Sequence, residues 1–130
     1  MSAATLSLTA LRIVAAVLFF SHGAQKVFGW FGGMGPGGGA ASLTTLMGAA
    51  GVIEVVAATG IGIGFATRLL AFIASGEMAV AYFYTHVRGS NSLWWWENRG
   101  EVAILYCFLW LYFAAAGAGP ISVDRIRGKK

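Results

Sequence analysis

Two carboxylates sit inside apolar runs: Glu54 in GVIEVVAATGIGIG and Glu77 in ASGEMAVAYFY. An ionisable group at the centre of a bilayer costs about 2.5–3.5 kcal/mol on insertion scales, so it faces a bundle interior and has a partner. Two facing carboxylates in a low dielectric cannot both stay charged, so at least one is expected to hold a proton. Such a buried acid suits general acid–base transfer. His22, Gln25 and Lys26 follow at i, i+3 and i+4, which places them on one helix face. With His86, Arg99 and Glu101 they form a second polar group, suited to protonation work or to hydrogen-bonding an oxygen-bearing head group. His22, Glu54 and Glu77 are therefore the candidate proton-handling residues. Arg12, Gln25, Lys26, Trp30, Tyr84, His86 and Glu101 are the candidate ligand-binding residues. For both groups the plainer alternative is an interfacial hydrogen-bond network that only secures packing.

These residues need long apolar helices to position them. The chain has 130 residues, 58% apolar and 11% charged, against about 25% charged in soluble domains. Four segments approach the roughly 20 apolar residues a spanning helix needs. They are residues 6–28, 43–64, 66–87 and 100–118 of a single domain, 1–130. The expected fold is all-α, an integral membrane four-helix bundle. Gly64 and Phe65 leave a very short turn, so the second and third segments are antiparallel neighbours. Their two glutamates then lie at similar depth. Gly48 and Gly51 recur at a spacing of three before Glu54, and small residues allow close helix approach. Arg12 either snorkels to the near surface or pairs with Glu54 or Glu77.

Orientation follows from the cations near the segment ends. Arg12, Arg68, Arg125, Arg127, Lys129 and Lys130 share one side, against Lys26, Arg88 and Arg99 on the other. This bias predicts cytoplasmic N- and C-termini, in the cell membrane, with a basic tail over 119–130 solvated near anionic headgroups. No cation precedes the first apolar run and Arg12 interrupts it, so the first helix is expected to stay in place. Trp94, Trp95 and Trp96, with Trp30 and Phe31, are expected as an aromatic belt at the outer interface.

Gly33, Gly35 and Gly38 form a G-x-G-x-x-G match in the outer loop 29–42. A dinucleotide fingerprint needs a preceding strand and a βαβ unit, and here a membrane helix precedes it. The loop is either a plain linker or a flap over a cavity mouth. The other outer loop, 88–99, carries the three tryptophans. The lone Cys107 excludes an internal disulfide and a C-x-x-C pair, and a buried core position is expected for it. No two histidines share a helix at i, i+4, so no metal site is expected. A haem between His22 and His86 is disfavoured, because His22 should lie about one turn deeper. No basic stripe interleaves with exposed aromatics, so nucleic acid is not an expected partner. Aromatics such as Tyr82, Tyr84, Tyr106, Trp110 and Tyr112 either pack in the core or against lipid, or wall a cleft for a flat ring such as a quinone.

The stretch LRIVAAVLFFSHGAQKVFGWFGG, with its H-G-x-x-K-x-x-G-W-F-G-G pattern, resembles the start of DoxX family membrane proteins. The likeness continues through GVIEVVAATGIGIGFATRLLA and GEMAVAYFYTHV to WWWENRGEVAILY. The resemblance implies a four-helix bundle in the bacterial cytoplasmic membrane. The family name derives from a thiosulfate:quinone oxidoreductase of archaeal membranes, and other members are linked to oxidative-stress defence beside soluble partners. Vitamin-K-epoxide-reductase-like bundles share the helical plan, but the single cysteine excludes their chemistry. Two functions are thus expected to compete. One is a quinone-facing redox subunit. The other is a non-catalytic scaffold or accessory subunit, with membrane lipids, another redox protein or further copies of itself as partners. A small-solute transporter is weaker, because no internal repeat is present.

Overall fold

The computed structural model describes residues 1–129, so Lys130 of the expected basic tail lies outside the described residues. Ser2 starts α1 (Ala3–Phe28) by accepting the Thr5 amide at 3.2 Å. Thr45 does the same for α2 (Leu46–Ile63), accepting the Gly48 amide at 3.1 Å. Residues 43–45, expected in this helix, instead form the turn that caps it. Its Thr45 amide donates to Ser42 O at 3.0 Å. Gly64 closes α2 with φ +74°, a left-handed cap that favours glycine.

α3 (Thr67–Ala81) begins one tight turn later, then runs without a break into a π-helical stretch, Tyr82–Val87, and a last turn, Arg88–Ser90. A short helix, Trp95–Asn98, precedes α4 (Glu101–Ala116). Every regular element among the described residues is helical. α1 packs along α2, α2 against α3, and α3 along α4. The core joins small residues, Ala57, Ala58, Ala71 and Ala74, to the large rings Phe19, Trp110 and Phe113. Phe19 crosses from α1 to meet Trp110 with ring centroids 5.2 Å apart. Outside, Val17, Phe72 and Phe108 are over 60% exposed, with many similar neighbours. An apolar exterior of this kind suits a lipid environment. α1 and α2 are each long and apolar enough to cross a membrane.

The end carrying the termini departs from expectation. Arg12 neither snorkels nor meets a glutamate. It is 2% exposed and donates to Ala118 O and, at 2.8 Å, to Ile121 O. The reason is that the chain after α4 folds back across this end. There the Asp124 carboxylate accepts the Ala66 and Thr67 amides, each at 2.9 Å, which supplies the N-cap that α3 lacks locally. Arg68 donates to Ala114 O at 3.2 Å and to Ala115 O, finishing α4 with a cation where the helix dipole is negative. The tail is thus partly a structural strap, with Ser122 and Asp124 buried and Arg125–Lys129 exposed.

Desolvation pushes the Asp124 carboxyl up, but the hydrogen bonds from Thr67 and Ala66 and the nearby Lys129 outweigh it and hold it below the usual carboxylate range. The stabilisation it gives is complete above the unfolded value, about 3.9. It is lost as pH falls through the lower folded value. Asp124→Asn should therefore lower stability at neutral pH by about 1 kcal/mol, as for a lost cap. The gap to the parent protein should close in acid. Thermal denaturation in detergent across the two pH ranges measures both.

Candidate functional site

The site begins with two glycines. A Cβ on Gly23 of α1 would lie 2.8 Å from Val55 N and 2.9 Å from Glu54 Cβ; one on Gly51 of α2 would lie 2.6 Å from Lys26 Cβ. Only hydrogen fits at both positions, so α1 and α2 approach closely there. That approach brings Lys26 Nζ to 2.7 Å and 3.0 Å from the two Glu54 oxygens. The Lys26 side chain is 16% exposed and that of Glu54 1%, so the pair is buried rather than superficial. The H-G-x-x-K spacing thereby gains a physical meaning. His22 and Lys26 project one turn apart, and the glycine beside His22 lets the lysine reach across.

Across the turn at Gly64, Glu77 reaches the same level. Its carboxyl lines the same cavity as that of Glu54. Its Oε2 is buried without a hydrogen-bond partner. Above these groups lies a cavity of about 890 Å³. Phe19, His22 and Lys26 line it from α1, and Ala50, Ile53 and Glu54 from α2. Gly76, Glu77 and Val80 come from α3, Tyr84 and His86 from the π-helical stretch, and Arg99, Val102 and Tyr106 from the start of α4 and just before it. His22 and Tyr106 meet edge to face, centroids 6.0 Å apart.

Six of the candidate residues thus share one chamber: His22, Lys26, Glu54, Glu77, Tyr84 and His86. The other four lie elsewhere. Arg12 clamps the terminal strap. Gln25 Nε2 donates to Phe31 O at 3.1 Å, bracing the Gly-rich loop. Trp30 stacks on Phe28 with centroids 4.7 Å apart. Glu101 is exposed in the first turn of α4, where an acidic side chain complements the helix dipole. Of the Gly-rich connection, only Thr45 lines the cavity; the loop folds on itself, with Met34 N donating to Gly39 O at 2.9 Å. Cys107 is partly buried in α4. Among the described residues no three His, Cys, Asp or Glu side chains cluster as metal ligands.

Four participants escape a reading by charge and spacing. The π-helical stretch carries Tyr84 and His86 into the wall; such bulges gather at functional sites, but no glycine or proline marks this one. Asn98 is buried and holds the Trp-rich loop, donating to Tyr82 Oη at 3.2 Å and accepting the Gly100 amide at 2.7 Å. Tyr106 looks like any core aromatic. Gly76 is legible only as a mid-helix glycine beside a glutamate.

Apolar helices around a buried polar chamber define a small helical membrane protein. The DoxX family model matches residues 7–87, and the chain belongs to the DoxX family. An uncharacterized protein of Haemophilus influenzae is 44% identical over 121 residues, covering 92% of this chain and 90% of its own length. No solved structure matches the chain.

Breaking a buried pair leaves one charge unpaired, at about 3–5 kcal/mol. Lys26→Met should therefore lower stability strongly. Lys26→Met combined with Glu54→Gln should recover most of the loss. A double-mutant cycle on detergent melting temperatures measures the coupling, and additive effects would mean that the pair contributes nothing.

Proposed function

We propose that this DoxX protein is a quinone-linked membrane subunit of redox or oxidative-stress metabolism. In this reading the four long helices form a transmembrane bundle in the cell membrane, with both termini cytoplasmic and the tryptophan loop at the outer face. The observation that carries it is the cavity itself. Its volume, about 890 Å³, lies within the range of small-molecule sites, about 300–1,000 Å³. Its walls are mostly apolar, with His22, Lys26, Glu54, Glu77, His86 and Arg99 among the polar groups that line it. The residues present suit a lipophilic ring bearing carbonyl oxygens. Lys26 donates to both Glu54 oxygens and, at a long 3.5 Å, to His22 O, the donor a ligand oxygen would take over, and Glu77 Oε2 lacks a partner. Two carboxyls that share one lysine cannot both stay charged, and in this reading Glu77 holds the proton and passes it to the chamber while Glu54 stays paired to Lys26. His22 and His86 are further proton-handling groups on the wall. A quinone bound here would supply the electron chemistry; the protein's part is to bind, orient and move protons. One cysteine cannot form a dithiol couple, so the reading includes another membrane or soluble redox protein as electron source.

The second reading is a non-catalytic accessory subunit or scaffold, possessing the same fold. The close Gly23–Gly51 contact favours it, because the ion pair there already serves helix packing.

Solvent extraction of the purified protein, with mass spectrometry and an absorbance spectrum, separates the two. Near-stoichiometric quinone is expected. Glu77→Gln and His22→Ala should then keep the fold and lose most quinone-dependent turnover with the co-purifying partner, by about a hundred-fold for a lost acid–base group. Lipid alone, with variants that fail to fold, would establish the scaffold reading instead. For topology, a C-terminal fluorescent fusion should be bright and a C-terminal alkaline phosphatase fusion inactive; the reverse would invert the bundle.

A further inference from the structure

Five glycines of α1 and α2, Gly23, Gly48, Gly51, Gly60 and Gly62, have neighbours where a side chain would project. Each is explained by packing. Gly76, in the middle of α3, is different. A Cβ there would meet nothing within 4 Å, and its backbone is ordinary right-handed helix. Glycine is the poorest helix former after proline, so neither conformation nor packing accounts for it. What it does is leave room at the cavity's edge: Gly76 is itself exposed and lines the cavity next to Glu77 in the chain.

The walls around it indicate how that room is reached. Leu46 of α2 and Ile73 and Val80 of α3 line the cavity, yet are 54%, 41% and 54% exposed. They therefore border its mouth. This mouth opens between α2 and α3, which pack less extensively than α1 with α2 or α3 with α4. In a bundle set in a bilayer it faces the acyl chains. A ligand entering here must be lipid-soluble, with an apolar tail left in the mouth and a polar head directed to Lys26 and Glu77.

We infer that Gly76 is the specificity-determining position of this site, the gap over which a planar, oxygen-bearing ring on an apolar tail slides from the bilayer to Lys26 and Glu77. The inference rests on the quinone-linked reading and adds the entry route and the residue that sets ring size. Filling the gap obstructs the ring without touching its polar partners, and a small addition discriminates against a bicyclic ring before a monocyclic one.

The test uses the full-length protein in lipid nanodiscs and two probes, a decyl-substituted benzoquinone and its naphthoquinone counterpart. Binding is measured by equilibrium partition, with melting temperature as a separate readout. Gly76→Ala should keep the benzoquinone and weaken the naphthoquinone by about ten-fold, the scale of one extra methyl-sized group in a tight pocket. Gly76→Leu should weaken both by at least about ten-fold. Without a probe, all variants should melt no lower than the parent protein. Parent and variants binding both probes equally would overturn the role of Gly76 and leave the quinone-linked reading standing. A parent protein that binds neither probe would overturn both. Gly76→Leu failing to fold would show that the space is a packing contact, which also overturns the inference.

Discussion

The ion pair between Lys26 and Glu54 is the constraint on which the remaining structure depends. Both groups are withdrawn from solvent, and neither charge is tolerable alone in an apolar interior. Their 2.7 Å contact requires the backbones of α1 and α2 to approach more closely than any side chain at Gly23 or Gly51 would allow. The pair therefore fixes the register of these helices, and with it the positions of His22 on one side and Ile53 on the other. It also leaves Glu77 as the odd carboxyl. With one lysine among two acids, the second acid can be neither ion-paired nor fully hydrogen-bonded by protein groups, and its Oε2 has no partner. The chamber's chemistry is a consequence of that imbalance.

At the opposite end most polar groups meet backbone partners, although Arg12 Nε and Thr67 Oγ1 stay buried without one. Arg12, Arg68 and Asp124 each saturate backbone groups that the helix ends leave open. α2 and α3 are pinned together there by the Gly64 turn and by the Asp124 cap on α3. Away from that end they pack less extensively than the other adjacent pairs. Two helices fixed at one end and separated at the other must enclose a wedge, and the wedge is where the cavity lies. The π-helical stretch and the Asn98 network then set how the far wall ends, placing His86 and the half-exposed Tyr84 along it.

The sequence was most informative where cost was highest. A buried carboxylate is expensive wherever it lies, so Glu54 and Glu77 announced a shared interior site, and the H-G-x-x-K spacing put His22 and Lys26 on one face. Partner choice was not legible. Glu54 could have met Arg12 or Lys26, and only the glycine contact decides for Lys26. Arg12 was misjudged because its partners are carbonyls of Ala118 and Ile121, which carry no signature in residue type. The strap was hidden in the same way: DRIRGKK looks solvated by composition, whereas Asp124 within it caps a helix nearly sixty positions earlier. Long-range capping of this kind depends on how the chain returns, which local propensity does not encode.

Glycine content illustrates the same limit from the other direction. The chain has 19 glycines, and their number alone reads as flexibility. In place they do three different things. Gly64 closes a helix with a backbone that few other residues adopt. Gly23 and Gly51 bring two backbones together, converting an absent side chain into a contact. Gly76 converts an absent side chain into a space. The first two uses increase stability and would be retained in a purely structural bundle. The third gives up helix propensity with no packing return, and within α3 it precedes Glu77, whose buried Oε2 lacks a partner. An empty position next to an unsatisfied acid serves no packing purpose, and it is the combination that the proposed ligand site calls for.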